Sequence, residues 1–550
     1  METSKPKLNG STKAQLLESY LNQQQNLSAV EEFSLFHKNQ QGEESTKYYQ
    51  KLIPTDKPKA GEQYSFQVDL DKCSGCKSCV TGCNSRNGLD EGENWRSVGM
   101  LQGNSPSQLL KKEIPFQQHI TSSCHHCLDP ACLTGCPVKA YEKDPFTGIV
   151  KHLDDQCIGC QYCILKCPYG APQYNKEKGI VRKCDMCTSR LNVGKAPACV
   201  QSCPTEAIRI TVIKTDTVKQ NPEAIFDIPH AHTAEYSLPT TSYIGKKKLT
   251  PEAVTAPQQL KNQNPEWPLV FMLVLTQASV GTLATQLFNN NLNSTASLLA
   301  ILLSLGFGLL GLAIAPLHLG RPLLAFRVFL GLRTSWLSRE AVIFGVYILP
   351  LSTLSALLGI KWMEIQLNFL SFITPNSLSL LLYTSLLLGV AGVYSSAMIY
   401  KDTPRAWWAS SQTIFKFFLT SVLLGSALHL FSLSVTSTPI PLISWISLIL
   451  FTITKLILEA SLFFSPKTSV IYDSAKLIMQ DKTLNRMRWI TGVLGGMILP
   501  LIAVLLPDKN LTLLFTSILF LSLLMGELLE RVFFFKASVP PHMPGCYDHK

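Results

Sequence analysis

The sequence predicts a duplicated α+β domain organised around cysteines, followed by an all-α bundle of eight membrane-spanning helices. Two observations lead there. Sixteen of the 17 cysteines lie between Cys73 and Cys203, and after Trp267 apolar runs of bilayer-crossing length follow one another. At 550 residues the chain exceeds one ordinary domain, so it has room for both parts.

The cysteines fall into four groups: Cys73, Cys76, Cys79, Cys83; then Cys124, Cys127, Cys132, Cys136; then Cys157, Cys160, Cys163, Cys167; then Cys184, Cys187, Cys199, Cys203. Groups one and three read C-x2-C-x2-C-x3-C, a run that wraps three corners of a cubane iron–sulfur cluster and sends its fourth thiolate to another cluster. Pro137, Pro168 and Pro204 follow the last cysteine of groups two, three and four. Sixteen thiolates are enough for four 4Fe–4S clusters. Zinc takes closed tetrahedral sites built from cysteine pairs, and three crowded cysteines suit a cubane better. A disulfide framework belongs to small secreted domains. The polar start METSKPKLNGSTKAQ has no apolar core and no twin arginine, so no cleaved export signal is expected and a reducing compartment is.

If the fourth cysteine crosses over, groups one and four share two clusters and groups two and three share the other two. Cys73, Cys76, Cys79 and Cys203 would hold one, and Cys184, Cys187, Cys199 and Cys83 its partner. Cys124, Cys127, Cys132 with Cys167, and Cys157, Cys160, Cys163 with Cys136, would hold the inner pair.

In chain order, residues 1–60 read as a polar extension with a short apolar patch at Leu27 to Phe36. Residues 61–215 form the cluster domain, a duplicated dicluster ferredoxin-like fold. GEQYSFQVDLDKC alternates apolar positions into group one, GIVKHLDDQC repeats that layout before group three, and TEAIRITVI reads as a closing strand. The stretch Asn84 to Ser123 reads as a surface excursion. Residues 216–266, rich in Pro, Thr and Lys, read as a linker along the membrane face. Its run Lys246 to Lys248 is placed to meet anionic headgroups or solvent. Residues 267–537 form the membrane part and 538–550 a tail, in which Cys546 is assigned no role.

Eight apolar segments are expected to span, at 268–288, 296–317, 340–359, 377–400, 413–434, 440–464, 489–507 and 511–529. The loops at Asn289–Thr295 and Ser432–Ile440 carry no charge. The loops with Arg321, Arg327, Arg333 and Arg339, with Lys401 and Arg405, and from Lys467 to Arg488 are rich in positive charge. The positive-inside rule then puts both termini and the clusters at the cytoplasmic face of the inner membrane. Much of the net charge of +11 sits in those loops, and no basic helix or aromatic-basic stripe accompanies it, so no nucleic-acid partner is expected.

Ionisable residues at the membrane mark function. His318 and Arg321 close the second span, and Glu340 opens the third. A histidine and a carboxylate that trade protons at the membrane edge suit oxidation of a quinol, which sheds two protons as its electrons leave for iron. Lys455 and Glu459, at i,i+4, read as neutralising each other, and Glu527, Glu530 and Arg531 as structural. Haem is not expected. The two histidines of the spans, His318 and His429, lie near opposite faces, His429 being about 24 Å deep at 1.5 Å per residue.

The cysteine pattern, with CHHC-x4-C-x3-CP and KCDMC, resembles the four-cluster electron-transfer subunit of the dimethyl sulfoxide reductase group of molybdoenzymes. EWPL at Glu266–Leu269, HLGRP at His318–Pro322, TSWLSRE at Thr334–Glu340 and TPRAWW at Thr403–Trp408 resemble that group's eight-span anchor subunit. The resemblance covers about residues 61–545. It implies a quinol-oxidising anchor that feeds four 4Fe–4S clusters and a separate catalytic subunit carrying molybdenum bis-pterin. The positions of His318 and Glu340 belong to the quinol site in that group. Relatives such as respiratory nitrate reductases replace one cysteine with Trp and hold a 3Fe–4S cluster; here all sixteen cysteines are present. The fusion of both subunits, and clusters on the cytoplasmic side, depart from the exported dimethyl sulfoxide enzyme. The direction of current stays open, because a dehydrogenase partner would drive the same parts backwards and reduce quinone. A non-catalytic redox sensor in the membrane is a second alternative.

Overall fold

The computed structural model describes residues 49–546, apart from 108–111, 247–248, 250–252, 256–261, 289–290, 365–374, 465, 467–469 and 507, together with residues 14, 15, 17, 18 and 21. The patch at Leu27 to Phe36 and the side chains of Lys247 and Lys248 lie outside the described residues.

Strand β1 (Glu62–Asp69) leads into the first cysteine group as its alternation predicts. It pairs antiparallel with β8 (Ile208–Lys214), Phe66 opposite Ile210, and parallel with β9 (Ser242–Ile244). Tyr64, Phe66 and Val68 bury one face, yet Gln63 and Ser65 on the other face are buried as well. The segment at Thr240 and the CHHC turn cover that face: Ser65 Oγ donates to the Thr240 carbonyl, and Gln63 Nε2 to Thr240 Oγ1 at 3.3 Å and to the His126 carbonyl at 2.9 Å. Residues 216–266, read as a linker, therefore supply a sheet strand and a layer of the cysteine domain. Composition misleads there because threonine hydroxyls, rather than apolar side chains, satisfy the buried backbone groups.

Two small hairpins repeat the duplication, β4 (Tyr141–Lys143) with β5 (Val150–His152) and β6 (Gln173–Asn175) with β7 (Ile180–Arg182). The stretch expected as a surface excursion begins in the last turn of a helix, Ser78–Asn87, and holds a long hairpin of β2 (Arg96–Ser107) and β3 (Lys112–Ser123). The duplication reaches the backbone of the ligand loops. Gly75 (φ 73°) matches Gly159 (φ 71°), and Lys77 (φ 61°) matches Gln161 (φ 58°), each left-handed residue opening the short helix that carries the third cysteine.

Among the described residues, eight helices are long and apolar enough to cross a membrane: Trp267–Phe288, Thr295–His318, Trp336–Trp362, Pro375–Lys401, Gln412–Val435, Leu442–Phe464, Lys482–Leu505 and Lys509–Lys536. Span one packs against spans two, four, five and eight. At its crossing with span five, a Cβ on Gly281 would lie 1.7 Å from the Ser421 carbonyl oxygen, so only glycine fits. Spans three, seven and eight run past the apolar windows read from sequence. Span seven starts early enough to include Arg488, and span eight runs on through Glu530 and Arg531, because these charges are paired inside the bundle. The expected Lys455–Glu459 pair does not form. Lys455 meets Glu527 of span eight, while Glu459 takes Arg488 of span seven at 2.5 Å. Four residues along a helix put two side chains near each other, but neighbouring helices offered each a better-aligned partner.

The cysteine domain rests on one end of the bundle. Lys166 Nζ donates to the Asp402 carbonyl at 2.6 Å and its carboxylate at 2.9 Å. Arg321 N and Arg327 Nη1 donate to the carbonyls of Ile158 at 3.0 Å and Asp155 at 2.8 Å. Gly320 and Gly179 meet backbone to backbone. The tail returns to the same domain: Met543 is buried in its core and Ser97 Oγ donates to Cys546 Sγ at 3.2 Å. Two of the positively charged loops thus lie on the side where the cysteines are.

Candidate functional site

The sixteen cysteines are all free thiols, and among the described residues no three His, Cys, Asp or Glu side chains converge on a point that could hold one metal ion. Zinc bonded at about 2.3 Å would draw its sulfurs to within roughly 4 Å of one another.

The thiols gather in four sets. Burial, then the thiols of Cys79, Cys203 and Cys76, raise the Cys73 pKa. Burial followed by Cys199 and Cys187 pushes Cys83 up to about 12, and Cys184 feels Cys83, Cys187 and Cys199 in turn. Cys124, Cys127, Cys132 and Cys167 line a single cavity. Cys136, Cys157, Cys160 and Cys163 form the fourth neighbourhood. Each set takes its lone member from another sequence group. Backbone amides aim at the sulfurs, as thiolate ligands require: Ala140 N on Cys136 and Ala207 N on Cys203, both at 3.2 Å, and Gly159 N on Cys157 at 3.4 Å.

The sets also have an order. Cys79 of the first neighbours Cys199 of the second, and Cys184 of the second neighbours Cys124 of the third. Tyr141 stands among Cys163, Cys132 and Cys136, joining the third set to the fourth. The first set holds Cys76, which is exposed, and the fourth lies against the membrane bundle, with Gly331 N donating to the Pro137 carbonyl at 2.7 Å. The line of sets therefore runs from the membrane to an open surface.

Two buried cations stand between sets, and sequence reading missed both. Arg96, 2% exposed, donates to Thr121 Oγ1 at 3.1 Å and Ser123 Oγ at 2.8 Å, among Cys199, Cys79, Cys184 and Cys83. Lys183, 3% exposed, donates to the carbonyls of Val150 and, at 2.9 Å, Cys184, among Cys124, Cys132 and Cys184. Neither meets a carboxylate among the described residues. Burial alone would lower both pKa values, and the surrounding thiolates more than reverse this, holding both above their usual range. A buried charge without a counter-charge costs several kcal/mol, so these cations call for an anionic group where the cysteines converge. A cysteine-ligated iron–sulfur cluster is net negative, and the residues fit it. In His126, Nδ1 accepts the Val150 amide at 3.1 Å, which leaves the proton on Nε2, buried and without a protein partner. Lys183 had a faint signal, since it abuts a ligand cysteine in KCDMC. Arg96 sits in the hairpin that composition reads as surface.

Of the three residues expected at the quinol site, the structure brings none into direct contact. His318 Nδ1 binds the carbonyl of Ala315 in its own helix turn. Arg321 Nη1 donates to the Asp154 carbonyl at 2.9 Å, so it docks the cysteine domain. Glu340, 4% exposed, accepts from Ser396 Oγ of span four. Glu340 also neighbours Tyr162, which stands between Cys160 and Cys163 with its hydroxyl buried and unpaired. The carboxylate thus lies near a tyrosine of the Cys157–Cys163 loop, with no hydrogen bond between them among the described residues.

Residues 260–536, half of the chain, match the family described as DMSO reductase anchor subunit (DmsC), and residues 116–213 match the 4Fe-4S dicluster domain. The chain is 38% identical over 173 residues to a subunit of the anaerobic dimethyl sulfoxide reductase of Escherichia coli (strain K12), covering 31% of this chain and 84% of that subunit. A second protein of the same strain, the probable anaerobic dimethyl sulfoxide reductase subunit YnfG, is 39% identical over 173 residues with the same coverage. The formate dehydrogenase iron-sulfur subunit of Haemophilus influenzae is 36% identical over 153 residues, 26% of this chain and 49% of that one. The chain is a multi-pass membrane protein that binds iron–sulfur clusters.

Proposed function

This chain belongs to the dimethyl sulfoxide reductase family as an iron–sulfur electron-transfer subunit fused to its membrane anchor, and we propose that it oxidises membrane quinol to supply a separate catalytic subunit. The observation that carries this reading is the neighbourhood of Glu340, Tyr162 and the Cys136, Cys157, Cys160, Cys163 set at the membrane face.

When bound, four 4Fe–4S clusters supply one-electron relays. Cys73, Cys76, Cys79 and Cys203 hold the outermost; Cys83, Cys184, Cys187 and Cys199 the next; Cys124, Cys127, Cys132 and Cys167 the third; Cys136, Cys157, Cys160 and Cys163 the one at the membrane. Arg96 and Lys183 compensate their charge. His318 and Glu340 accept the protons that quinol releases, and Arg321 keeps the cysteine domain seated beside them. The exposed Cys76 end faces the partner, a subunit with molybdenum bis-pterin. By the positive-inside rule the clusters and both termini face the cytoplasm, where the partner would consume the same protons.

The test is anaerobic reduction of the membrane-embedded protein by a menaquinol analogue, followed by cluster absorbance and electron paramagnetic resonance. Wild type bleaches, and His318→Arg keeps its clusters but is not reduced. No reduction in wild type, with clusters that dithionite still reduces, favours the reverse current or the sensor.

A further inference from the structure

Between spans two and three the chain forms a 3-10 helix, Pro322–Gly331, whose two ends are tied to the cysteine domain. Arg321 N donates to the Ile158 carbonyl at 3.0 Å and Gly331 N to the Pro137 carbonyl at 2.7 Å. A 3-10 helix repeats about every three residues, so side chains three apart stack in rows. One row, Arg321, Leu324 and Arg327, meets the cysteine domain. Leu324 packs against the apolar core around Cys136, Cys157 and Cys163, and the two arginines donate to the carbonyls of Asp154 at 2.9 Å and Asp155 at 2.8 Å. A second row, Leu323, Phe326, Phe329 and, just past the helix, Leu332, is 91, 66, 57 and 43% exposed.

A contiguous row of large apolar side chains marks a contact surface, and three observations make its cover lipid. The first is its tether. Three residues separate Leu332 from Trp336, where span three starts, and four separate Leu323 from His318, where span two ends. Each reaches at most about 3.6 Å, so the row stays beside the bilayer. The second is a marker of headgroup level next to it. Trp336 packs on Tyr394 of span four with ring centroids 6.0 Å apart, and the Arg339 guanidinium lies 4.4 Å over the Trp336 ring, an aromatic and cationic pairing suited to a membrane interface. Arg339 Nη2 also donates to the Arg333 carbonyl at 2.7 Å, drawing the end of the row onto that belt. The third is composition. PLLAFRVFLGL, Pro322 to Leu332, has no polar side chain except Arg327, which is bonded to Asp155, whereas a protein interface carries a polar rim.

We propose that Pro322–Gly331 lies in the plane of the membrane, with Leu323, Phe326, Phe329 and Leu332 among the acyl chains of the leaflet nearest the cysteine domain. Through Leu324, Arg321 and Arg327 the same segment seats that domain on the lipid surface. An interfacial helix of this kind sinks its apolar side about 5–10 Å below the headgroups.

The test is carbene footprinting of the full-length, cluster-loaded protein in phosphatidylethanolamine–phosphatidylglycerol vesicles, read by peptide mass spectrometry. One diazirine reagent partitions into the bilayer and a second stays in water. Phe146, 77% exposed on the cysteine domain, is the water-side reference. The peptide from Leu323 to Leu332 should take the bilayer reagent as strongly as spans two and three and be spared by the aqueous one, with Phe146 the reverse. Labelling of the row by the aqueous reagent overturns the proposal. So does protection from both reagents, which would mean that a second copy of the chain covers it. Leu323→Gln combined with Phe326→Gln leaves the row on the cysteine domain intact. It should lose the bilayer label at this peptide and speed hydrogen exchange of the amides near Asp154–Cys160, and unchanged exchange after loss of the label would overturn the seating role.

Discussion

Replacing Lys183 with Met should lower the reduction potentials of the two clusters it separates. The ammonium is buried, donates to two carbonyl oxygens, one of them Cys184 at 2.9 Å, and has the thiols of Cys124, Cys132 and Cys184 around it. Adding an electron to a net-negative cluster is easier beside a fixed positive charge. For a unit charge about 7 Å from the cluster centre at an effective dielectric of about 20, the interaction is about 2.4 kcal/mol. For one electron that converts to roughly 100 mV. Lys183→Met should therefore shift the clusters of the Cys83 and Cys124 sets down by about 100 mV, and the two outer clusters by less than half as much. Lys183→Arg, which keeps the charge, should stay near wild type. The assay is a redox titration read by electron paramagnetic resonance, with iron content measured in parallel. A shift below about 20 mV with all clusters present, or equal shifts in the Met and Arg variants, would refute the counter-charge role.

Cys83→Ser should remove the cluster held by Cys184, Cys187 and Cys199 and spare the one held by Cys73, Cys76 and Cys79, as read from the resonance spectra; loss of the latter would rule out the crossover. Gly320→Ala puts a Cβ 2.1 Å from the Gly179 carbonyl oxygen, an overpacking that costs roughly 1–3 kcal/mol. Amides near Asp154–Cys160 should then exchange hydrogen faster, and unchanged exchange would mean that this contact does not seat the domain. Lys455→Met leaves Glu527 with Arg488 and the Thr420 hydroxyl and should destabilise the bundle by about 3–5 kcal/mol, while adding Glu527→Leu should recover much of the loss. Thermal unfolding in detergent reads both, and equal losses would show that the cost does not come from a stranded Glu527 carboxylate.

The iron–sulfur character of the domain was legible because that chemistry imposes a short, fixed cysteine spacing that few other structures need. The spans were legible because the bilayer sets a length. Arg96, Lys183 and Tyr162 were not, since their importance comes from which sets they lie between, and that is decided by contacts between distant segments. Lys455 and Glu459 illustrate the same limit from the other side: helical spacing proposed a pair, and two neighbouring helices supplied different partners. Thr240 and Thr241, in a stretch whose composition reads as linker, cover the CHHC turn, with Thr240 Oγ1 donating to the His125 carbonyl at 2.8 Å and Thr241 Oγ1 meeting His125 Nδ1 at 2.9 Å. Arg321 drew notice for its place beside His318, and its side chain turned out to hold the cysteine domain rather than face Glu340.

The polarity of the chain of clusters is open to one direct measurement. Cys163→Ser removes the cluster at the membrane end, and Cys76→Ser removes the one at the exposed end. Each variant is mixed anaerobically with a menaquinol analogue, and the remaining clusters are counted by electron paramagnetic resonance before and after dithionite. The expected result is that the three other clusters of Cys163→Ser stay oxidised in the presence of quinol yet are reduced by dithionite, while Cys76→Ser has its three others reduced by quinol as in wild type. Ready reduction by quinol in Cys163→Ser, or its loss in Cys76→Ser, would contradict an electron path that begins at the membrane and ends at Cys76.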